Sequence, residues 1–152
     1  MAIAEAVLTQ PAERLLKLGN ATHKRPMKRI LIVEDDRKIA AALGVRLKAA
    51  GYDVLAAFDG REGLLSAVCQ RPDLIISDIW MPEPIGFLNQ ERLGQLGLAD
   101  VPVIYITASK KKDLREIAQE EGAAAFFEKP YDAEALLDAI GQALAERSMA
   151  AS

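Results

Sequence analysis

From Lys28 onward the chain alternates short runs of β-branched and other apolar residues with longer stretches in which apolar positions recur every three or four residues. The first pattern predicts strands and the second predicts helices. Strands are expected near residues 29–33, 53–57, 73–77, 102–106 and 124–128, and helices near 37–50, 61–70, 87–96, 111–121 and 132–147. Such alternation builds βαβ units, so the expected fold class is α/β, a doubly wound five-stranded parallel sheet with five helices. Ile30, Ile32, Ile75, Ile76, Ile104 and Ile106 make their strands apolar on both sides, as strands covered by helices on each face must be. Local signals agree. Asp36 and Asp132 stand where helix N-caps are needed, and Gly51 can take the left-handed conformation that ends a helix.

The first 26 residues do not join this pattern. Leu8, Leu15, Leu16 and Leu18 could line one side of a short helix, but Pro11 interrupts it and Gly19-Asn20 ends it. The expected organisation is an N-terminal extension at 1–26, flexible or a short helix, a single domain at 27–147 and a tail at 148–152. Met27 runs straight into the first strand, so the extension is either a tail with its own partner or a segment upstream of the true start. A protein beginning at Met27 is expected to fold.

Composition narrows the class. The 152 residues are 51% apolar and 27% charged, enough for one domain with a real core. No stretch approaches the roughly 20 apolar residues that span a bilayer, and residues 1–8 lack the basic start and long apolar centre of a secretory signal. The expected location is cytoplasmic, with no membrane partner. Charge is uneven. Residues 1–29 hold six Lys/Arg against two Glu, leaving 13 basic and 20 acidic residues elsewhere. An acidic body argues against direct nucleic-acid binding, and the basic run around Lys24, Arg25, Lys28 and Arg29 reads as a lead-in to a strand. Cys69 is the only cysteine and His23 the only histidine, so disulfides, thiolate metal sites and paired-histidine zinc sites are excluded. Cys69 falls on a helix and reads as a half-buried structural thiol.

The candidate chemistry sits at the ends of the strands. The first delivers Glu34 and Asp35, the third Asp78, the fourth Thr107, and the fifth Lys129 followed by Pro130. In an open parallel sheet, groups at the carboxyl ends of the strands converge on one crevice. Three carboxylates brought together repel one another unless a cation lies between them. With only oxygen ligands the cation should be hard, and Mg2+ is the expected one. A carboxylate such as Asp78 can act as a nucleophile and form an acyl phosphate, with Thr107 and Lys129 available to hold phosphoryl oxygens.

The segments Ile30-Leu31-Ile32-Val33-Glu34-Asp35-Asp36, Leu74-Ile75-Ile76-Ser77-Asp78-Ile79-Trp80-Met81-Pro82, Val103-Ile104-Tyr105-Ile106-Thr107-Ala108 and Phe126-Phe127-Glu128-Lys129-Pro130 together resemble the receiver domain of two-component response regulators. Gly51-Tyr52 and Asp59-Gly60 fit the same pattern. The resemblance implies a flavodoxin-like receiver fold in which Asp35 holds Mg2+ directly and Glu34 through water. Asp78 would be the phosphoacceptor and the backbone carbonyl of Trp80 a further metal ligand. It also implies that Thr107 and the Ala108 N–H contact the phosphoryl group, that Lys129 pairs with it, that Lys129-Pro130 is cis, and that Phe126 is the switch aromatic. The Trp80 side chain would tune hydrolysis or cover the pocket rim. The sequence departs from the family at Pro84-Ile85-Gly86, where a Met-Asp-Gly type of turn is usual.

The function so implied is a phosphoacceptor signalling protein of a two-component system. A sensor histidine kinase or a histidine phosphotransfer protein would be the donor and a downstream target protein the receiver of the signal, with the last two helices offering a homodimer surface. It would be no enzyme beyond self-catalysed phosphotransfer and hydrolysis. Three other readings stand beside it: a receiver cut from a longer regulator with an output domain, a pseudo-receiver acting only in protein interaction, and an aspartyl phosphatase of the dehalogenase-like kind. The last expects a second Asp at the position that Trp80 occupies.

Overall fold

The computed structural model describes residues 27–79, 90–110 and 113–151. Among them, five strands alternate with five helices: β1 Arg29–Val33, α1 Arg37–Ala49, β2 Asp53–Ala57, α2 Gly60–Gln70, β3 Leu74–Asp78, α3 Gln90–Gln95, β4 Val103–Thr107, α4 Leu114–Glu120, β5 Ala125–Glu128 and α5 Ala133–Ala151. All strand pairs are parallel and the order is β2-β1-β3-β4-β5. This is the expected doubly wound sheet. Its order reverses between β1 and β3, the switch point at which such sheets bind ligands.

Successive strand residues point to opposite faces, and each face has its own core. Ile30, Ile32, Leu74, Ile76, Ile104 and Ile106 pack under α1 and α5 with Leu47 and Leu136. Leu31, Val33, Ile75 and Tyr105 pack on the other face with Ala67 of α2, Leu93 of α3 and Leu114 of α4. The helix boundaries follow from short-range chemistry. The Asp36 carboxylate accepts from the N–H groups of Lys38 and Ile39, capping α1. Asp59 caps α2 through the Glu62 N–H at 2.7 Å, and Asp132 accepts from Glu134 at 3.3 Å at the start of α5. After α1 the chain turns at Gly51, whose φ of +99° is open to glycine at little cost.

Three expectations need correction. β3 and β4 each run one residue further than expected, because Asp78 pairs with Ile106 and Thr107 with Glu128; both functional candidates are therefore the last residues of their strands. Cys69 is exposed, not half-buried: α2 turns Gly63 and Ala67 to the core, and position 69 falls on its outer side. α5 continues to Ala151, so residues 148–151 extend the helix where a tail was expected; alanine at 150 and 151 favours continuation. Arg147, one turn before the helix ends, donates to the Asp73 carbonyl at 2.9 Å and to the Asp100 carboxylate at 3.2 Å, tying the last part of α5 to the loops before β3 and β4. The expected extension at 1–26, the start of the helix expected at 87–96, and Trp80 with the loop after it lie outside the described residues. Among the described residues no helix is long and apolar enough to cross a membrane.

Candidate phosphoacceptor site

The strand ends bring the expected residues to one place. Because β1 and β3 are neighbours in register, the carboxylates that follow or end them meet. Glu34, Asp35 and Asp78 each offer an oxygen, and these oxygens lie within 4.8 Å of one another. Lys129, just past β5, reaches across from the edge of the sheet. Its Nζ is 2.6 Å from Glu34 Oε1 and 3.7 Å from Asp78 Oδ2. The other Glu34 oxygen accepts from the Asp36 N–H at 3.2 Å. Thr107 is fully buried at the end of β4. Its hydroxyl donates to the Ile79 carbonyl at 3.4 Å and accepts from the Ser109 N–H at 3.0 Å. Ala108, the next residue, is exposed. The Lys129–Pro130 peptide bond is cis. Phe126 is buried on β5, opposite Tyr105 of β4.

Electrostatics separate the three carboxyl groups. Burial pushes Asp78 up to about 7, and the neighbouring Glu34 charge adds to the rise while Lys129 opposes it. Burial would raise Glu34 too, but the hydrogen bond from Lys129, with help from Asp35 and the Asp36 N–H, outweighs it and holds Glu34 below the usual carboxylate range. Asp35 is raised, chiefly by the hydrogen bond it shares with Glu34. Lys129 is raised because Glu34 and Asp78 together outweigh its partial burial. The pocket thus carries more negative charge than one lysine balances.

An all-oxygen donor set with surplus negative charge suits a hard divalent cation such as Mg2+, so the residues fit the ion that the sequence implied. Glu34, Asp35 and Asp78 are the side chains that would hold it. Asp35→Asn should remove most of the Mg2+-dependent rise in melting temperature. A full Mg2+ response in that protein, followed by thermal melting over a Mg2+ titration, would show that the three carboxylates do not act as one site.

Sequence reasoning missed several contacts. It assigned Lys129 to a phosphoryl group and did not foresee its bond to Glu34, 95 positions away. It missed the two bonds that occupy the Thr107 hydroxyl, and the reach of Lys110 Nζ to the Lys129 carbonyl at 3.2 Å. Of these only the Thr107–Ser109 bond, between residues two apart, is of a kind that a local sequence could announce; the others join distant parts of the chain.

A sheet wound in this order, with an acidic cluster and a lysine at the carboxyl ends of its strands, places the molecule among the doubly wound α/β proteins, whose ligand crevices lie at that end of the sheet. Comparison with known proteins goes further. The response regulator receiver domain profile matches residues 30–141, and the chain belongs to that family of two-component signalling domains. The DNA-binding dual master transcriptional regulator RpaA of Synechocystis is 38% identical over 112 residues, 73% of this chain and 46% of that protein. The transcriptional regulatory protein PdtaR of Mycobacterium tuberculosis is 34% identical over 114 residues, 74% of this chain and 55% of that protein. The chain spans about half the length of the curated relatives it matches. Among solved structures, the chemotaxis protein CheY4 of Vibrio cholerae superposes with a TM-score of 0.68 at 31% identity, covering 77% of this chain and 98% of that one. A CheY-like receiver domain protein from Methanospirillum hungatei gives 0.70 at 29% identity, covering 81% and 98%.

Proposed function

We propose that this receiver accepts a phosphoryl group on Asp78 from a phosphohistidine carried by a sensor histidine kinase or a histidine phosphotransfer protein. The observation that carries this reading is the position of Asp78. It is a largely buried carboxylate at a strand end, within reach of two further carboxylates and 3.7 Å from the amine of Lys129. An Asp78 oxygen attacks phosphorus, an O–P bond forms as the donor's P–N bond breaks, and the electron pair leaves with the imidazole. Water later cleaves the acyl phosphate.

Each neighbour has a part in this scheme. Mg2+, held by Glu34, Asp35 and Asp78, with the Trp80 carbonyl as the further ligand the family implies, would neutralise charge on the phosphoryl oxygens. Lys129 exchanges part of its contact with Glu34 for a phosphoryl oxygen. The Thr107 hydroxyl leaves the Ile79 carbonyl to donate to a second oxygen, and the Ala108 N–H meets a third. Those movements alter the ends of β4 and β5 and, through Phe126, the surface of α4, β5 and α5 that a target protein reads. The catalysis is confined to the protein's own phosphorylation and dephosphorylation, and the reading places the protein in the cytoplasm with its donors. The span of about half the relatives' length supports a second reading of the chain's context, as the receiver part of a longer regulator with an output domain; the chemistry at Asp78 is the same in both.

Incubation with Mg2+ and a small acyl phosphate should add one phosphate per chain by intact mass, and chelation of Mg2+ should prevent it. Equal labelling with and without chelator would contradict the metal-assisted reading.

A further inference from the structure

Two cations reach from the β4–α4 side of the molecule onto β5. Lys110 donates to the Lys129 carbonyl and lies 3.9 Å from a Glu128 carboxylate oxygen. Arg115, the second residue of α4, sets its guanidinium carbon 4.9 Å from the centroid of the Phe126 ring. A guanidinium within about 6 Å of a ring centroid is attracted by the ring's quadrupole. Phe126 belongs to the core cluster that holds Tyr105, Leu114 and Ala118, and it keeps only 9% of its surface exposed. β5 is an edge strand, so strand neighbours flank Phe126 on one side only. Among the described residues, the ring is held by the apolar cluster it shares with β4 and α4 and is faced by the Arg115 cation from α4.

We propose that Arg115 is a positioning residue for Phe126. Its guanidinium holds the ring in its buried place on β5 before any phosphoryl group arrives, and so sets how far the α4–β5 surface changes once Asp78 is modified. The second half of this statement rests on the proposed phosphoacceptor role; the first does not. Arg115 is exposed, so the contact should be worth about two- to fivefold in the ratio of buried to outward ring, the range for a solvent-accessible cation–π pair.

The test uses the whole chain carrying 4-fluorophenylalanine at its four phenylalanines, with the Phe126 fluorine signal identified by its loss in Phe126→Leu. The quantity read is the change in that signal's shift between H2O and D2O, which reports water contact. Loss of a nearby charge can move the resonance itself without altering this solvent dependence. The solvent effect should be small in wild type, larger in Arg115→Gln, and returned towards wild type in Arg115→Lys, which keeps a cation over the ring. Equal solvent effects in wild type and Arg115→Gln overturn the proposal.

The second arm adds Mg2+ and a small acyl phosphate. Phosphate uptake should be the same in both proteins, while the phosphorylation-induced change at Phe126 should be larger in Arg115→Gln. Identical changes overturn the coupling. If neither protein takes up phosphate, the phosphoacceptor reading fails, and the donor-free comparison still decides the positioning claim.

Discussion

Lys129→Gln should melt well below wild type in metal-free buffer at neutral pH. Glu34 is 5% exposed, and its charge is balanced by an amine 2.6 Å away. Removing one partner of a buried pair leaves the other charge uncompensated, which costs about 3 to 5 kcal/mol. Lys129 retains some solvent contact, so about 3 kcal/mol is the better expectation, on the order of a 10 °C fall for a domain of this size. The pH dependence has a definite sign. Glu34 is held below its ordinary range by Lys129, so the stability it contributes is present above the ordinary glutamate pKa and is lost as pH falls through the folded value. The gap between wild type and Lys129→Gln should therefore narrow on acidification, and Mg2+ should close part of it at neutral pH. Thermal melting from pH 4 to 8 checks this. A melting temperature within a degree or two of wild type at pH 7 would mean that the Glu34–Lys129 pair does little for the fold.

The opposite change is expected at Asp78. Its carboxyl is pushed up to about 7 by burial and by Glu34. A group whose folded pKa is raised stabilises the fold below its unfolded pKa, and that contribution is lost as pH rises through the folded value. Wild type should thus lose stability between about pH 4 and pH 7 through this group. Asp78→Asn, of equal size but uncharged, should escape that loss. It should melt above wild type in metal-free buffer, with a gain on the order of a few kcal/mol that grows from about pH 4 and levels off above about pH 7. A gain that does not vary with pH would show that Asp78 ionises without penalty and that neither its burial nor the Glu34 charge raises its pKa.

How much of this was legible beforehand depended on the range of the interactions. The strands could be read because β-branched runs covered on both faces have nothing polar to alternate with, as at Ile75 and Ile76. Glu34, Asp35, Asp78, Thr107 and Lys129 could be placed together because parallel winding sends every strand's carboxyl end the same way. The strand ends were misplaced by one residue because pairing register decides them, and register belongs to two strands at once. The exposure of Cys69 depended on which face of α2 meets the sheet, a choice made by Gly63 and Ala67. The contacts of Lys129 with Glu34, of Arg147 with Asp73 and Asp100, and of Arg115 with Phe126 join residues on different elements, and no periodicity announces them.

In the proposed scheme Asp78, and no other carboxylate of the pocket, carries the phosphoryl group. Labelling with Mg2+ and a small acyl phosphate, followed by borohydride reduction and peptide mass mapping, converts a phosphorylated aspartate to homoserine and so records its position. Homoserine at position 78 in wild type, with no labelling of Asp78→Ala, is the predicted result. Homoserine at Asp35, or full labelling of Asp78→Ala, would contradict it.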